Sequence, residues 1–446
     1  MKRTLALSCL GALLAASFVS LWAGSADAGA AIPGINGPSF SLTTGTASIP
    51  TPDGDSVLIW GLRAGGGPVQ LPAPTLIVNQ GQTVTVNLTN TLPQRVSLVF
   101  PGQGPVTATG GVAGLLTQEA NPNGGTVTYS FVAANPGTYL YHSGTRPDLQ
   151  VEMGLYGAII VRPTGFDQNN ASARTAYGHP NTAYDHEYLF LLSEMDPKIH
   201  DLVDFGFVDY VDNTAAFPVF WFINGRLAMD TLAAHNVPWL PNQPYSALAR
   251  TFPSEKVLLR LISAGRDMHS FHPHGNHPML IARDGRMLTS GATNAGPDLG
   301  TPDFTFTVTP GGTSDAIFTW TGEKLGWDIY GNPTETETAH TCNGLLGPSP
   351  GFDPATKEYC PDHGKPLPVI LPGLQDVAFG PWYSGSPFLG EFGALPPGEG
   401  GLNLNGGLFF MWHSHNEKEL TNFDIFPGGM MSFVIIEPRK PNVSIP

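Results

Sequence analysis

The stretch Gly137-Thr-Tyr-Leu-Tyr-His142-Ser-Gly144 has a second version in the same chain, Gly407-Leu-Phe-Phe-Met-Trp-His413-Ser-His415. Both are glycine-bounded aromatic runs closing on His-Ser, too short for a stable helix and rich in strand formers, so they read as one β-strand used twice. Each is followed by a matching apolar run, Gly154-Leu-Tyr-Gly-Ala-Ile-Ile-Val161 beside Gly428-Gly-Met-Met-Ser-Phe-Val-Ile-Ile436. Upstream, Val84, Val86 and Leu88 match Val257, Leu259 and Leu261 at the period of two that a half-buried strand requires. Ser97, Val99, Pro101 and Gly102 then match Ser270, His272, His274 and Gly275. The chain is therefore a tandem of one β-domain.

Composition agrees, with 54 Gly and 42 Pro separating short Val-, Thr- and aromatic-rich runs and few stretches of helical periodicity. One short helix is expected around Met195 to Val203. The polar stretch from Pro163 to Pro180 separates the halves, giving a first domain at 29–165, a linker at 166–182 and a second domain at 183–440. The second copy is enlarged by an insertion at about 322–406, and loops of that length act as lids, packing arms or disordered segments.

Residues 1–28 are set aside as a signal peptide: Lys2 and Arg3 precede an apolar run from Leu5 to Trp22 that ends in the small-residue pattern Ala26-Asp-Ala28. A single-span anchor is the alternative, but Ser8, Gly11 and Ser17 interrupt the run. The expectation is an exported protein, periplasmic or extracellular, with no integral membrane segment after signal removal. Losing Lys2, Arg3 and Asp27 moves the net charge from −15 to −16, which disfavours nucleic acid and anionic membranes as partners. The remaining cysteines, Cys342 and Cys360, flank a Gly- and Pro-rich stretch, and in an oxidising compartment they are expected to form a disulfide.

Two histidine clusters carry the chemistry: His269-Ser-Phe-His272-Pro-His274-Gly-Asn-His277 and Trp412-His413-Ser414-His415. On a strand, His-x-His sets two imidazoles on one face, and two such pairs on neighbouring strands would present four. Imidazole suits Cu(II), Zn(II) and Ni(II), and the affinity order among these favours copper. The competing reading is buried histidines hydrogen-bonded to backbone. His277 stands beside the site at most, and His179, His186, His200, His235, His340 and His363 show no ligand spacing. Glu417 and Glu419 follow the strand and are expected to face water.

The order His-x-x-His-x-His-Gly, then His-x-His before a terminal Gly-Met strand, resembles the multicopper oxidase and copper nitrite reductase superfamily, and the resemblance covers nearly all of the mature chain. It implies an all-β protein of two tandem cupredoxin-like Greek-key β-sandwich domains, with copper as cofactor. In that family a trinuclear copper centre takes eight histidines from four His-x-His pairs. His272 and His274 stand at one last-domain pair and His413 and His415 at the other. In the first domain Val99 and Pro101 replace one pair, and the other keeps His142 but has Gly144. His142 is accordingly a weaker candidate, with structural and ligand roles both open.

The family's mononuclear type 1 site needs a cysteine thiolate, which sets its potential and passes the electron onward. Here Ser414 holds the cysteine position, and Glu419 stands where a second histidine follows. His269 keeps the first histidine position, but without a thiolate it is expected to pack beside the site rather than bind metal. A serine hydroxyl is a poor soft ligand, so a blue copper centre is not expected.

Three functional readings follow. The favoured one is copper sequestration or delivery by a thiolate-free histidine site. The second is an atypical oxidoreductase whose electrons come directly from substrate or from an electron-donor protein. The third is a non-catalytic structural or partner-binding cupredoxin, for which Val99, Pro101 and Gly144 argue. Two-domain members of the superfamily often form trimers, which would make His142 a contribution across a subunit interface. A metal-dependent hydrolase gains no support, because the chain has no His-Glu-x-x-His, Gly-x-Ser-x-Gly or phosphate-loop motif.

Overall fold

The computed structural model describes residues 30–329, 342, 351–354, 357–365, 385–386, 407–437 and 444–445. The signal segment at 1–28, His340 and most of the 322–406 insertion lie outside the described residues. Two tandem cupredoxin-like sandwiches account for the rest.

In the first sandwich one sheet runs in the order Ile35–Asn36, Ala73–Asn79, Tyr156–Arg162, Gly137–Ser143, Leu98–Val99. Its facing sheet runs Ser56–Ala64, Ser39–Pro50, Thr83–Asn90, Gly125–Val132, Thr107–Thr109. The second sandwich repeats the plan. One sheet is built on His186–Met195, Lys256–Ser263, Thr313–Thr319 and Met279–Arg283, and the other on Ala249–Thr251, Met431–Ile436, Leu408–Ser414, His269–Pro273 and Phe306–Val308. Parallel pairs recur at corresponding places: Ala73–Asn79 with Tyr156–Arg162, and Ala249–Thr251 with Met431–Ile436. Parallel neighbours cannot be joined by a tight hairpin, so the chain crosses between sheets, as Greek-key order demands.

The matched positions are core positions. Val84, Val86 and Leu88 are buried between the sheets of the first domain, and Val257, Leu259 and Leu261 between those of the second. Each such side chain contributes about 1.5–3 kcal/mol when removed from water. The two strands differ on their other face: Thr83–Asn90 alternates buried and partly exposed residues, whereas Lys256–Ser263 is buried on both faces. The reason is the domain interface. Ile262 shares an apolar cluster with Leu140, Tyr156 and Ile160 of the first domain, and Arg260 between them reaches Glu187 (Nε to Oε2, 3.0 Å) and Thr138 of the first domain (2.9 Å). Glu187 also accepts from Arg162 of the first domain at 2.7 Å. Although burial opposes its ionisation, these two guanidiniums hold the Glu187 carboxyl down at about 2.

The expected helix is present as Pro197–Asp204, capped by Asp196, whose carboxylate accepts from the Lys198 amide. Cys342 and Cys360 form the expected disulfide. No described helix is long and apolar enough to cross a membrane. The glycine match is off by one residue. The repeated strands are Gly137–Ser143 and Leu408–Ser414, with His142 opposite Tyr156 and His413 opposite Met431, so Gly137 stands level with Leu408 rather than Gly407.

Candidate metal centre and the modified site beside it

Strand alternation divides the histidine clusters between two faces. On Leu408–Ser414, residues Leu408, Phe410, Trp412 and Ser414 point into the core with no exposed surface, which turns His413 and His415 to the opposite side. On the neighbouring strand Phe271 is in the core and His272 faces away from it. Pairing sets His272 directly opposite His413. In the first domain the same register sets Val99 opposite His142.

The outward face gathers His272, His274 and His413, one ring nitrogen of each lying within 4.8 Å of the others. Ring centroids are 4.6 Å apart for His272 and His274, 5.0 Å for His274 and His413, and 5.5 Å for His272 and His413. His272 Nδ1 donates to the Phe304 carbonyl at 2.5 Å, and His413 Nδ1 donates to the Ser414 carbonyl at 2.6 Å. A carbonyl only accepts, so both rings carry their hydrogen on Nδ1 and offer Nε2 as a lone pair. His413 Nε2 stands 3.1 Å from His274 Nε2. Burial keeps His272 neutral, pushing it down to about 4, and also lowers His413. Neutral imidazoles with convergent nitrogens are what a borderline divalent metal takes, so the donor set fits such an ion.

The other candidates are placed differently. His415 sits at the rim, its ring 4.9 Å from His272, its side chain half exposed and its Nδ1 3.7 Å from Glu417. His277 lies near Phe304, with ring centroids 5.8 Å apart. His142 does not join the trio within this chain. It lines a cleft of about 480 Å³ between the domains, with Glu152, Arg266 and Gly311. Its Nδ1 donates to the Ser143 carbonyl at 2.9 Å, the same bond that orients His413, and burial lowers its pKa. Its strand is pinned by Ser143, whose hydroxyl donates to Gln150 at 2.6 Å. Gly144 packs tightly beside the neighbouring strand: a Cβ there would lie 2.7 Å from Val99 Cγ1 and 3.0 Å from Ser97 Oγ. The valine occupies the room a side chain at 144 would need.

The inward face holds a second constellation. His269 is fully buried, with Nε2 3.2 Å from Glu194 Oε2 and Nδ1 3.2 Å from Glu419 Oε2. The Ser414 hydroxyl donates to Glu419 Oε2 at 2.5 Å, and Asn416 Nδ2 donates to its Oε1 at 3.1 Å. Burial disfavours a charged imidazole, but the two carboxylates prevail and hold His269 up at about 9. At neutral pH an imidazolium is clamped between two glutamates.

This corrects one expectation: Glu419 is buried, and only Glu417 faces water. A charged residue after a strand faces water by default, but here His269 and Ser414 supply partners that make burial tolerable. Glu194 escaped the sequence reading. Its signal was an acid near the end of the largely apolar strand His186–Met195, which also carries Glu187. Gly265 makes room for it, since a Cβ there would fall 2.4 Å from the Glu194 carboxylate oxygens. His363, set aside for want of ligand spacing, lies with Asp328 and Glu358 in a second group of potential ligands.

Fold and site together define a tandem cupredoxin carrying a histidine cluster on its second domain. Residues 68–165 match the family model described as Multicopper oxidase. Laccase 1 of Metarhizium robertsii is 32% identical over 127 residues, which is 27% of this chain and 20% of the laccase. Copper resistance protein A of Escherichia coli is 28% identical over 195 residues, 42% of this chain and 28% of that protein. The matched stretches thus cover less than a third of either relative. The blue copper oxidase of Nitrosomonas europaea superposes with a TM-score of 0.53 at 18% identity, over 89% of this chain and 85% of that one, a likeness of fold. Residues 68–165 thus resemble a multicopper oxidase domain, and the chain as a whole shares the fold of the blue copper oxidase.

Proposed function

We propose that this is an exported copper-binding protein in which His272, His274 and His413 hold copper, with His415 closing the site from the rim, and which has no type 1 copper. The observation carrying this reading is the convergence of three imidazole nitrogens within 4.8 Å, two of the rings fixed by backbone carbonyls so that Nε2 faces inward. Bound copper would supply Lewis acidity or a one-electron couple; the chain supplies preorganised neutral nitrogens. The names of the relatives, a laccase and a copper resistance protein, agree with copper as the metal.

The role that fits best is sequestration or delivery, with a copper-donor protein as partner. Electron entry in the family depends on a cysteine, and Ser414 instead completes a hydrogen-bonded cluster with Glu419, His269 and Glu194. That cluster takes up the polar capacity of the position without a metal. An oxidoreductase fed directly by substrate is the second reading, favoured by the cleft of about 480 Å³ beside His142. In a homotrimer that histidine would be presented to the trio of a neighbouring subunit.

The test is the metal content of the purified mature protein before and after copper loading, with paramagnetic resonance and visible spectra on the same sample. Stoichiometric copper without a blue band, lost in the His274→Ala and His413→Ala variants, is the expected result. No bound copper after loading would reduce the protein to a structural cupredoxin. Turnover of a phenolic or metal-ion reductant by the loaded protein would favour the oxidoreductase.

A further inference from the structure

We propose that the insertion of the second domain carries a cation site of its own, formed by Asp328, Glu358 and His363 and suited to a divalent metal of the zinc class. It is independent of the histidine trio and of its copper reading.

One donor atom from each of the three side chains lies within 4.8 Å of the other two. Asp328 is fixed by its neighbours, since Trp327 and Ile329 on either side are buried in the core of the second domain. Glu358 and His363 come from the segment 357–365, which is laced to the first strip of the insertion. The Asp328 amide donates to the Lys365 carbonyl, the Gly364 amide to Asp328 Oδ2 and the Gly326 amide to Asp362 Oδ2, each at 2.9 Å. The disulfide from Cys342 ends within this segment, at Cys360. The three donors are therefore held in place by the fold around them.

Two buried carboxylates and an imidazole converge there. The side chains of Asp328 and Glu358 are 0% and 2% exposed, so two carboxylates share a region poor in water, where like charges repel strongly. His363 Nδ1 faces both, 2.6 Å from Glu358 Oε1 and 3.4 Å from Asp328 Oδ2. A metal ion bound to all three would sit where these donor atoms converge. Two carboxylate oxygens with one imidazole nitrogen make a zinc-type donor set, whereas calcium and magnesium prefer oxygen alone. Bound there, the ion would fasten the insertion to the second domain beside the disulfide.

The experiment uses the full mature chain, stripped with a chelator and reloaded with zinc alone. Bound zinc is counted by mass spectrometry in the parent, in His363→Ala and Glu358→Gln, and in His274→Ala as a control on the trio. The expected result is one zinc fewer in each insertion variant than in the parent and one fewer again when His363→Ala is added to His274→Ala, with zinc raising the melting temperature of the parent more than that of His363→Ala. His363 is partly exposed, so its variant is expected to fold, and circular dichroism checks this; if one insertion variant does not fold, the other carries the comparison. Equal zinc in the parent and a folded insertion variant, or no zinc retained by the parent, would overturn the proposal and leave a hydrogen-bonded His363–Glu358 pair.

Discussion

The Ser414 hydroxyl donates to Glu419 Oε2 at 2.5 Å, and that same oxygen lies 3.2 Å from His269 Nδ1. Ser414 and Glu419, where the resemblance would place a cysteine and a histidine, form a hydrogen-bonded pair, and His269 lies against it as the counter-ion. Removing one member of a buried charge pair strands the other. Glu419→Ala should therefore cost about 3–5 kcal/mol in denaturant unfolding, whereas Glu417→Ala, at the exposed neighbour, should stay within about 0.5 kcal/mol of the parent. Equal effects would contradict the burial of Glu419.

The same cluster predicts a loss of stability on the alkaline side. His269 is raised from 6.5 to about 9, so its contribution is fully present below pH 6.5 and is lost as pH rises through about 9. Unfolding midpoints measured from pH 6 to pH 10 should fall across that window in the parent. In His269→Gln, which cannot titrate there, the fall should flatten.

Glu187 predicts the opposite limb. With its carboxyl held at about 2 by Arg162 and Arg260 against an ordinary value of 4.5, its contribution is present above pH 4.5 and is lost as pH falls through about 2. Glu187→Gln should weaken the domain interface by about 3–5 kcal/mol at neutral pH and shift the acid transition of the pair of domains upward. Acid titration followed by tryptophan fluorescence reads both effects.

Val99 and Gly144 should behave as a coupled pair. Gly144→His puts a side chain where Val99 Cγ1 lies 2.7 Å from the new Cβ, an overpacking expected to cost about 1–3 kcal/mol. Val99→Ala should relieve that cost, so that the double variant is more stable than the sum of the single changes allows. Strict additivity in the double-mutant cycle would show that the two positions do not share one space.

His142 and the trio lie apart within one chain, which makes assembly measurable. Light scattering on the mature protein is expected to give a trimer, with His142→Ala lowering copper retention without dissolving it. A monomer whose copper content is indifferent to His142→Ala would confine the site to the second domain.

Much of this was legible along the chain. The period-two matches of Val84, Val86 and Leu88 with Val257, Leu259 and Leu261 identify the duplicated sandwich, because side-chain alternation is a local property of a strand. The same alternation gives His413 and His415 a common face. Glu419 was misread because its cationic partner lies far off in sequence, at His269, and a charged residue judged by its immediate neighbours belongs in water. The one-residue offset at Gly137 and Gly407 has a similar origin: flanking glycines suggest a register, but cross-strand pairing to Tyr156 and Met431 decides it.

Repeats and strand periodicity, which are written in nearest neighbours, were enough to give a tandem β-sandwich with its paired histidines concentrated in the second copy and Ser414 between the last pair. The tertiary structure decided which histidines converge, that His269 is clamped between Glu194 and Glu419, and that His363 meets Asp328 and Glu358. Those outcomes depend on distances between residues tens of positions apart, which only the packing of one sheet on another can set.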